Sequence, residues 1–238
     1  KIDDFKRLIK KPKILLVGVF SQFFLLPALT FVAILIIKPH PSFALGMMMI
    51  AACPGGNISN FFSKMAKGNS ALSVSLTAFA TVICLLMTPL NLQFYSRLYE
   101  PTNEIIKTVQ LDPIELFKLV LLILGIPIVL GMLLNHYFEE ISKKIEVLLK
   151  PFSMIVFLAL IVIAFYDNID VFLNYIHLVA GLVIFHNIGA YCIGFYTAKI
   201  FGLKKRDRKT ISMETGIQNG GLGLLLIFQF FDGLGGMA

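Results

Sequence analysis

Charge is what this sequence has least of. Asp, Glu, Lys and Arg make up 15% of its 238 residues and hydrophobic residues 57%, whereas an ordinary soluble domain carries about 25% charge. With a mean hydropathy of +0.83, a water-soluble fold is excluded. Cysteine is scarce as well. Cys53, Cys84 and Cys192 are odd in number, lie in apolar runs and show no CxxC or Cys/His spacing, which argues against a disulfide framework and a zinc site. HExxH is missing, and His40, His136, His177 and His186 are not placed near a paired carboxylate by the sequence. An enzyme such as an intramembrane hydrolase is therefore not expected, and no residue is assigned a catalytic role. No loop is long enough for a soluble domain, the longest running from about residue 93 to 115.

What is present is a succession of apolar runs near 20 residues, the length that crosses ~30 Å of hydrocarbon as a helix. Seven can be drawn: 14–37, 43–62, 71–92, 116–134, 152–166, 176–200 and 211 to about 231. The fold class is therefore all-α, a polytopic membrane protein with the lipid bilayer as its solvent. The net charge of +7 does not indicate nucleic acid, because the basic residues sit between apolar runs and form no aromatic-interleaved face. With the basic stretch Lys1–Lys13 on the cytoplasmic side, 17 of the 21 Lys and Arg residues fall in inside loops, the outside loops hold only Lys38, Arg97 and Lys107, and Lys118 stands at the outer end of the fourth run. Such a bias supports seven crossings of a cell (inner) membrane in this orientation. The sequence starts with Lys and stops at Gly-Gly-Met-Ala inside an apolar stretch, and is read as a fragment of a longer chain.

Two crossings are irregular. The second carries Pro54-Gly55-Gly56-Asn57, which lacks one backbone donor and is poor in helix propensity. The seventh carries Glu214-Thr215-Gly216-Ile217-Gln218-Asn219-Gly220-Gly221, polar residues and glycines where lipid would demand apolar ones. Both are expected to be broken at depth. Each follows a crossing with polar residues in its interior, Ser21-Gln22 and His186-Asn187, and the two pairs run in opposite directions. Interrupted segments in corresponding positions of two halves point to a transporter binding site. Glu214 reads either as a first-turn acid answering a helix dipole or as an ionisable group facing an ion path. Gln218, four residues on, shares its face. Ser73 and Thr77 have the same spacing, which suits close helix packing as well as ligation. Gln22, His186 and Asn187 also read as interhelical hydrogen-bond partners. Asp232, near the outer end of the last crossing, has no matching oxygen cluster.

Three stretches carry a likeness: Cys53-Pro54-Gly55-Gly56-Asn57-Ile58-Ser59-Asn60, Ala66-Lys67-Gly68-Asn69-Ser70-Ala71-Leu72-Ser73-Val74-Ser75-Leu76-Thr77, and Glu214-Thr215-Gly216-Ile217-Gln218-Asn219. The chain resembles bile acid:sodium symporters, particularly bacterial ones, along essentially its whole length. The resemblance implies ten helices in two inverted five-helix repeats, of which this sequence holds the third to eighth and most of the ninth. Residues 1–100 and 171–238 would form a core domain and residues 101–170 part of a panel, and without the remaining helices this piece is not expected to transport. One sodium would be held by Ser59, Asn60, Ser73, Thr77 and Glu214. A second would be held by Gln22, Gln218, the Glu214 carboxylate and backbone carbonyls of Thr215 and Ile217. Asn219 and Asn57 are the implied substrate contacts. Asn57 and Ile58 stand where other members often carry small residues, so a small carboxylate is as plausible an anion as a steroid. The expected activity is sodium-coupled symport of an organic anion by alternating access, with no organic cofactor, and a homodimer is left open. The rival is a proton-coupled transporter or exchanger using Glu214 as proton carrier.

Overall fold

The computed structural model describes residues 12–109, 113–167 and 169–231; most of the basic stretch Lys1–Lys13, and Asp232, lie outside the described residues. These residues form helices, with no strand among them. The first crossing consists of α1 (Pro12–Phe20), a π-helical turn (Ser21–Leu25) and α2 (Leu26–Ile37). The second is split into α3 (Pro41–Ala52) and α4 (Ile58–Met65), and the third is α5 (Ser70–Leu98). There follow α6 (Glu100–Val109), α7 (Pro113–Val120), a second π turn (Leu121–Gly125), α8 (Ile126–Tyr137), α9 (Glu139–Asp167) and α10 (Ile169–Ile200). The seventh crossing is split into α11 (Lys205–Gly216) and α12 (Gly220–Phe231).

Three continuous stretches, Pro12–Ile37, Ser70–Leu98 and Val179–Ile200, are long and apolar enough to span a bilayer. The half-helices α3 and α12 have 12 residues each, about 18 Å of rise, and neither crosses alone. The apolar runs of the sequence recur as these elements. Several differ in extent: α5 runs on to Leu98 and α10 begins at Ile169, and the run at 152–166 is the far part of α9, which begins at Glu139 with a charged first turn that an apolar scan passes over.

Both π turns stand just ahead of a proline, Pro27 and Pro127, and the sequence reading missed them. A proline inside a helix has no N–H, and its ring collides with the carbonyl four residues back. For Pro27 that carbonyl belongs to Phe23. The widened turn makes room for the ring, and Asn91 on α5 supplies the missing donor, its Nδ2 lying 2.8 Å from the Phe23 oxygen. The irregularity thus becomes a tie between the first and third crossings.

The main apolar core joins Phe23 and Ile34 of the first crossing, Leu45 and Met49 of α3, Leu92 of α5 and Leu226, Ile227 and Phe231 of α12. A second cluster, with Leu15, Leu72, Leu76, Ala198 and Ile211, packs α1 against α5, α10 and α11. Between these two apolar masses lie the breaks in the second and seventh crossings. Exposed apolar side chains such as Leu148, Phe152, Ile155, Val162 and Ile163 cover the outer face of α9. An apolar surface of this extent is one that water does not favour.

The Asn91 tie makes a prediction. Asn91→Leu removes a side-chain donor to the buried Phe23 carbonyl, so stability should fall by about 1–3 kcal/mol. Thermal unfolding in detergent micelles checks this.

Candidate functional site

Pro54 cannot donate to the helix that precedes it, and Gly55 and Gly56 carry no side chain to favour its resumption. The chain leaves α3 at Cys53 in an extended conformation. In the seventh crossing the sequence reading spread the irregularity over residues 214–221. The structure narrows it to residues 217–219, with Glu214, Thr215 and Gly216 still in the last turn of α11. The two breaks cross each other. Gly55 and Gln218 form an antiparallel bridge, in which the Gly56 N–H donates to the Ile217 oxygen and the Asn219 N–H to the Pro54 oxygen, both at 2.8 Å. Each unwound segment thus satisfies backbone groups of the other, as depth in a membrane requires.

Close approach explains the glycines. A Cβ on Gly55 would stand 2.8 Å from the Glu214 carbonyl oxygen and 2.9 Å from its Oε2, and one on Gly56 would stand 2.9 Å from the Gln218 oxygen. Only a bare backbone lets the carboxylate lie against the crossing point.

Glu214 is fully buried. Its Oε1 accepts from the Ser59 hydroxyl at 2.6 Å and from the Ser73 hydroxyl, and its Oε2 lies 2.8 Å from Thr77 Oγ1. The Thr77 hydroxyl also lies 3.4 Å from Asn60 Oδ1. All five residues expected around one ion are therefore brought together from three elements, α4, α5 and α11. Ser59 is placed by the helix that resumes after the first break. Ser73 and Thr77 share one face of α5, and Glu214 ends α11.

The second expected set is assembled differently. Gln22 is fully buried, and its Oε1 accepts from the Gly55 N–H at 3.3 Å, so this side chain braces the break. Gln218 donates through Nε2 to the Thr215 carbonyl at 2.7 Å, and the Ile217 carbonyl takes the Gly56 N–H. Both expected carbonyls are thus already in use, each with a second lone pair to spare. Gln218 Oε1 is buried without a hydrogen-bond partner among the described residues. A buried acceptor in that condition costs about 1–3 kcal/mol, and a cation would relieve it. Thr215 Oγ1 pairs with Ser21 Oγ at 3.0 Å, a contact for which the adjacent Ser21-Gln22 pair was the only sequence signal.

The implied substrate contacts part company. Asn57 is exposed at the start of α4, whereas Asn219 uses Oδ1 to accept the Leu222 N–H at 3.1 Å, capping α12. That leaves its amide nitrogen as the group able to donate to an anion. His186 is tied to Thr30 of α2 at 2.8 Å, and Asn187 bonds back to its own helix at Val183. A cavity of ≈ 390 Å³ lies beside the crossing, lined among others by Ile50, Phe62, His186, Tyr191 and Gln218. Tyr191, missed in the sequence, packs its ring against Gly216. Among the described residues no cluster of three His, Cys, Asp or Glu is placed to hold a metal. The oxygen set around Glu214, hydroxyls and amides with one carboxylate, suits a hard cation.

The description "Sodium Bile acid symporter family" belongs to the family model that matches residues 1–175. The chain is 31% identical over 232 residues to the uncharacterized sodium-dependent transporter YocS of Bacillus subtilis, covering 98% of this chain and 70% of that protein. It is 29% identical over 231 residues to the probable sodium/metabolite cotransporter BASS1, chloroplastic, of Arabidopsis thaliana, covering 97% and 55%. It is 30% identical over 220 residues to the sodium/bile acid cotransporter 4 of Mus musculus, covering 92% and 49%. The chain thus spans about half the length of the plant and mouse relatives.

Gly55→Ala would push a methyl group into Glu214, and overpacking of this kind costs about 1–3 kcal/mol. Gly189→Ala, where a Cβ meets nothing within 4 Å, should be neutral or gain up to about 1 kcal/mol from helix propensity. Paired thermal unfolding curves test the contrast.

Proposed function

The chain belongs to the sodium bile acid symporter family, and on that footing we propose that it is a sodium-coupled importer of an organic anion, with two sodium ions gathered around Glu214. The observation that carries this reading is the full burial of Glu214 at the crossing of two broken helices, with three hydroxyls turned to it. Ser59, Asn60, Ser73, Thr77 and one carboxylate oxygen would hold the first sodium, the hydroxyls rotating to present lone pairs. Gln218 Oε1, with Gln22, the Thr215 and Ile217 carbonyls and the shared carboxylate, would hold the second.

One formal negative charge for two cations leaves the loaded site positive, and an anion at the crossing completes the neutralisation. Both α4 and α12 begin immediately after a break, so two helix N-termini, each carrying about half a positive charge, attend the same place. There Asn57 and the Asn219 amide would meet the anion. The core, residues 1–100 and 171–238, would then move against a panel that includes residues 101–170, opening the site alternately to the two sides of the inner cell membrane, with Lys1–Lys13 cytoplasmic. For a monovalent anion, a tenfold sodium gradient and 100 mV give ~3.7 kcal/mol per sodium. After the anion's own electrical cost, roughly 5 kcal/mol remains, sufficient for more than a thousandfold accumulation.

A proton-coupled exchanger would also use Glu214, yet it needs only the carboxylate and a route for the proton. Five oxygen-bearing residues in contact, and an orphaned amide oxygen beside them, favour sodium.

Glu214→Gln keeps the shape and one oxygen and removes the charge. Loss of one member of a buried charge pair costs about 3–5 kcal/mol, of which the amide oxygen should recover part. Apparent sodium affinity should therefore fall about a hundredfold. Glu146→Gln, an exposed position on α9, should change little. Sodium-dependent uptake at equal membrane expression of the full-length protein is the measurement, and near-normal sodium dependence in Glu214→Gln would sink the proposed sites.

A further inference from the structure

Two helical turns from Glu214, the turn between α4 and α5 is bound to the first turns of α11. Asn69 is the centre of this contact. Its Oδ1 accepts the Leu72 N–H at 3.2 Å and caps α5, its Nδ2 donates to Asp207 Oδ1 at 2.8 Å, and its backbone N–H donates to Thr210 Oγ1 at 2.7 Å. Around it, Arg206 donates to the Gly68 carbonyl at 3.3 Å and Lys209 to the Ala66 carbonyl at 2.7 Å. Asp207 is 7% exposed and Thr210 fully buried. A Cβ on Gly68 would stand 2.7 Å from Thr210 Oγ1, so the turn lies hard against α11.

The contact is in phase with the ion site. Asn69, the residue that caps α5, precedes Ser73 and Thr77, which share one face of that helix, and Asp207, Thr210 and Glu214 recur at three and four along one face of α11. Asn69 with Asp207 and Thr210 is thus the end rung of a ladder whose inner rungs are Ser73 and Thr77 with Glu214. At 1.5 Å per residue Asp207 lies about 10 Å from Glu214, too far to touch an ion there. Its influence passes through the register of α5 against α11, and binding constellations tolerate only about 0.5 Å of misplacement.

We propose that Asp207, through Asn69 and Thr210, is a positioning residue that sets the sodium affinity of the Glu214 cluster. The inference rests on the sodium reading of that cluster. A first-turn acid could instead serve only the dipole of α11, in which case its charge would matter and its hydrogen bond would not. Asp207→Asn separates the two, because the amide keeps an oxygen for Asn69 and loses the charge.

The test is thermal stabilisation of the purified full-length protein, titrated with sodium chloride against choline chloride at constant ionic strength. It reads the sodium midpoint and the sodium-free melting temperature separately. Asp207→Ala and Asn69→Ala should each raise the midpoint about tenfold, the worth of one charge-assisted hydrogen bond. The double variant should go little further, since both remove the same link, and Asp207→Asn should stay within about threefold. If Asp207→Ala does not fold, Thr210→Val against Thr210→Ser gives the same comparison. Thr102→Val, which loses a buried hydroxyl bond to Ser96 far from the site, should lower the sodium-free melting temperature and leave the midpoint in place. The proposal is overturned if Asp207→Asn is as impaired as Asp207→Ala, or if Asp207→Ala lowers the melting temperature with an unmoved midpoint. Glu214→Gln, run alongside, identifies a failure of the underlying reading: a midpoint equal to that of the unaltered protein there removes sodium from the Glu214 cluster itself.

Discussion

A carboxylate buried in apolar surroundings must be answered by donors or cations, and in this fold that one demand organises everything near it. Glu214 has no exposure, and leaving its charge unmatched would cost several kcal/mol. Three hydroxyls from α4 and α5 converge on it. To bring them there, the second crossing must pass within a hydrogen bond of the seventh, and only Gly55 and Gly56 permit that approach. The glycines in turn unwind the helix, and the exposed backbone finds its partners in the other break. Burial of the charge, the two interruptions and their crossing are one solution to one problem.

The same solution gives the centre its polarity. Helices α3 and α11 end at the crossing with carbonyls, whereas α4 and α12 begin there with N–H groups. Partial negative and partial positive ends therefore meet in one small volume, an arrangement suited to a salt. The oxygen-rich side is made by side chains of α4, α5 and α11, and the N–H-rich side by the first turns of α4 and α12. In the proposed cycle the cations order the first side, and the anion is drawn to the second by the charge they bring.

Much of this was legible because it is written in local chemistry. Pro54 followed by two glycines marks a break whatever surrounds it, whereas the helical face expected for Glu214 and Gln218 at a spacing of four does not form, because α11 ends at Gly216 and Gln218 lies in the break. Ser73 and Thr77 were ambiguous by spacing alone, and it is their contact with Glu214 that separates them from ordinary packing hydroxyls. What stayed hidden depends on partners distant in sequence. That Gln22 braces Gly55 follows only once the first crossing is laid beside the break in the second, and that Asn69 meets Asp207 only once α11 is laid beside α5. The π turns belong to an intermediate class. Pro27 and Pro127 signalled trouble, but whether a proline kinks, breaks or widens a helix is decided by whether a neighbour such as Asn91 can satisfy the freed carbonyl.

Coupling to sodium rather than to protons is the central claim, and the two cations draw on different gradients. The direct measurement is tracer uptake of small carboxylate and steroid anions by the full-length protein in proteoliposomes, with the sodium and pH gradients imposed one at a time. The account predicts concentrative uptake with an inward sodium gradient at equal pH on both sides, abolished when potassium replaces sodium. Uptake driven by a pH gradient in sodium-free buffer, and indifferent to added sodium, would contradict it.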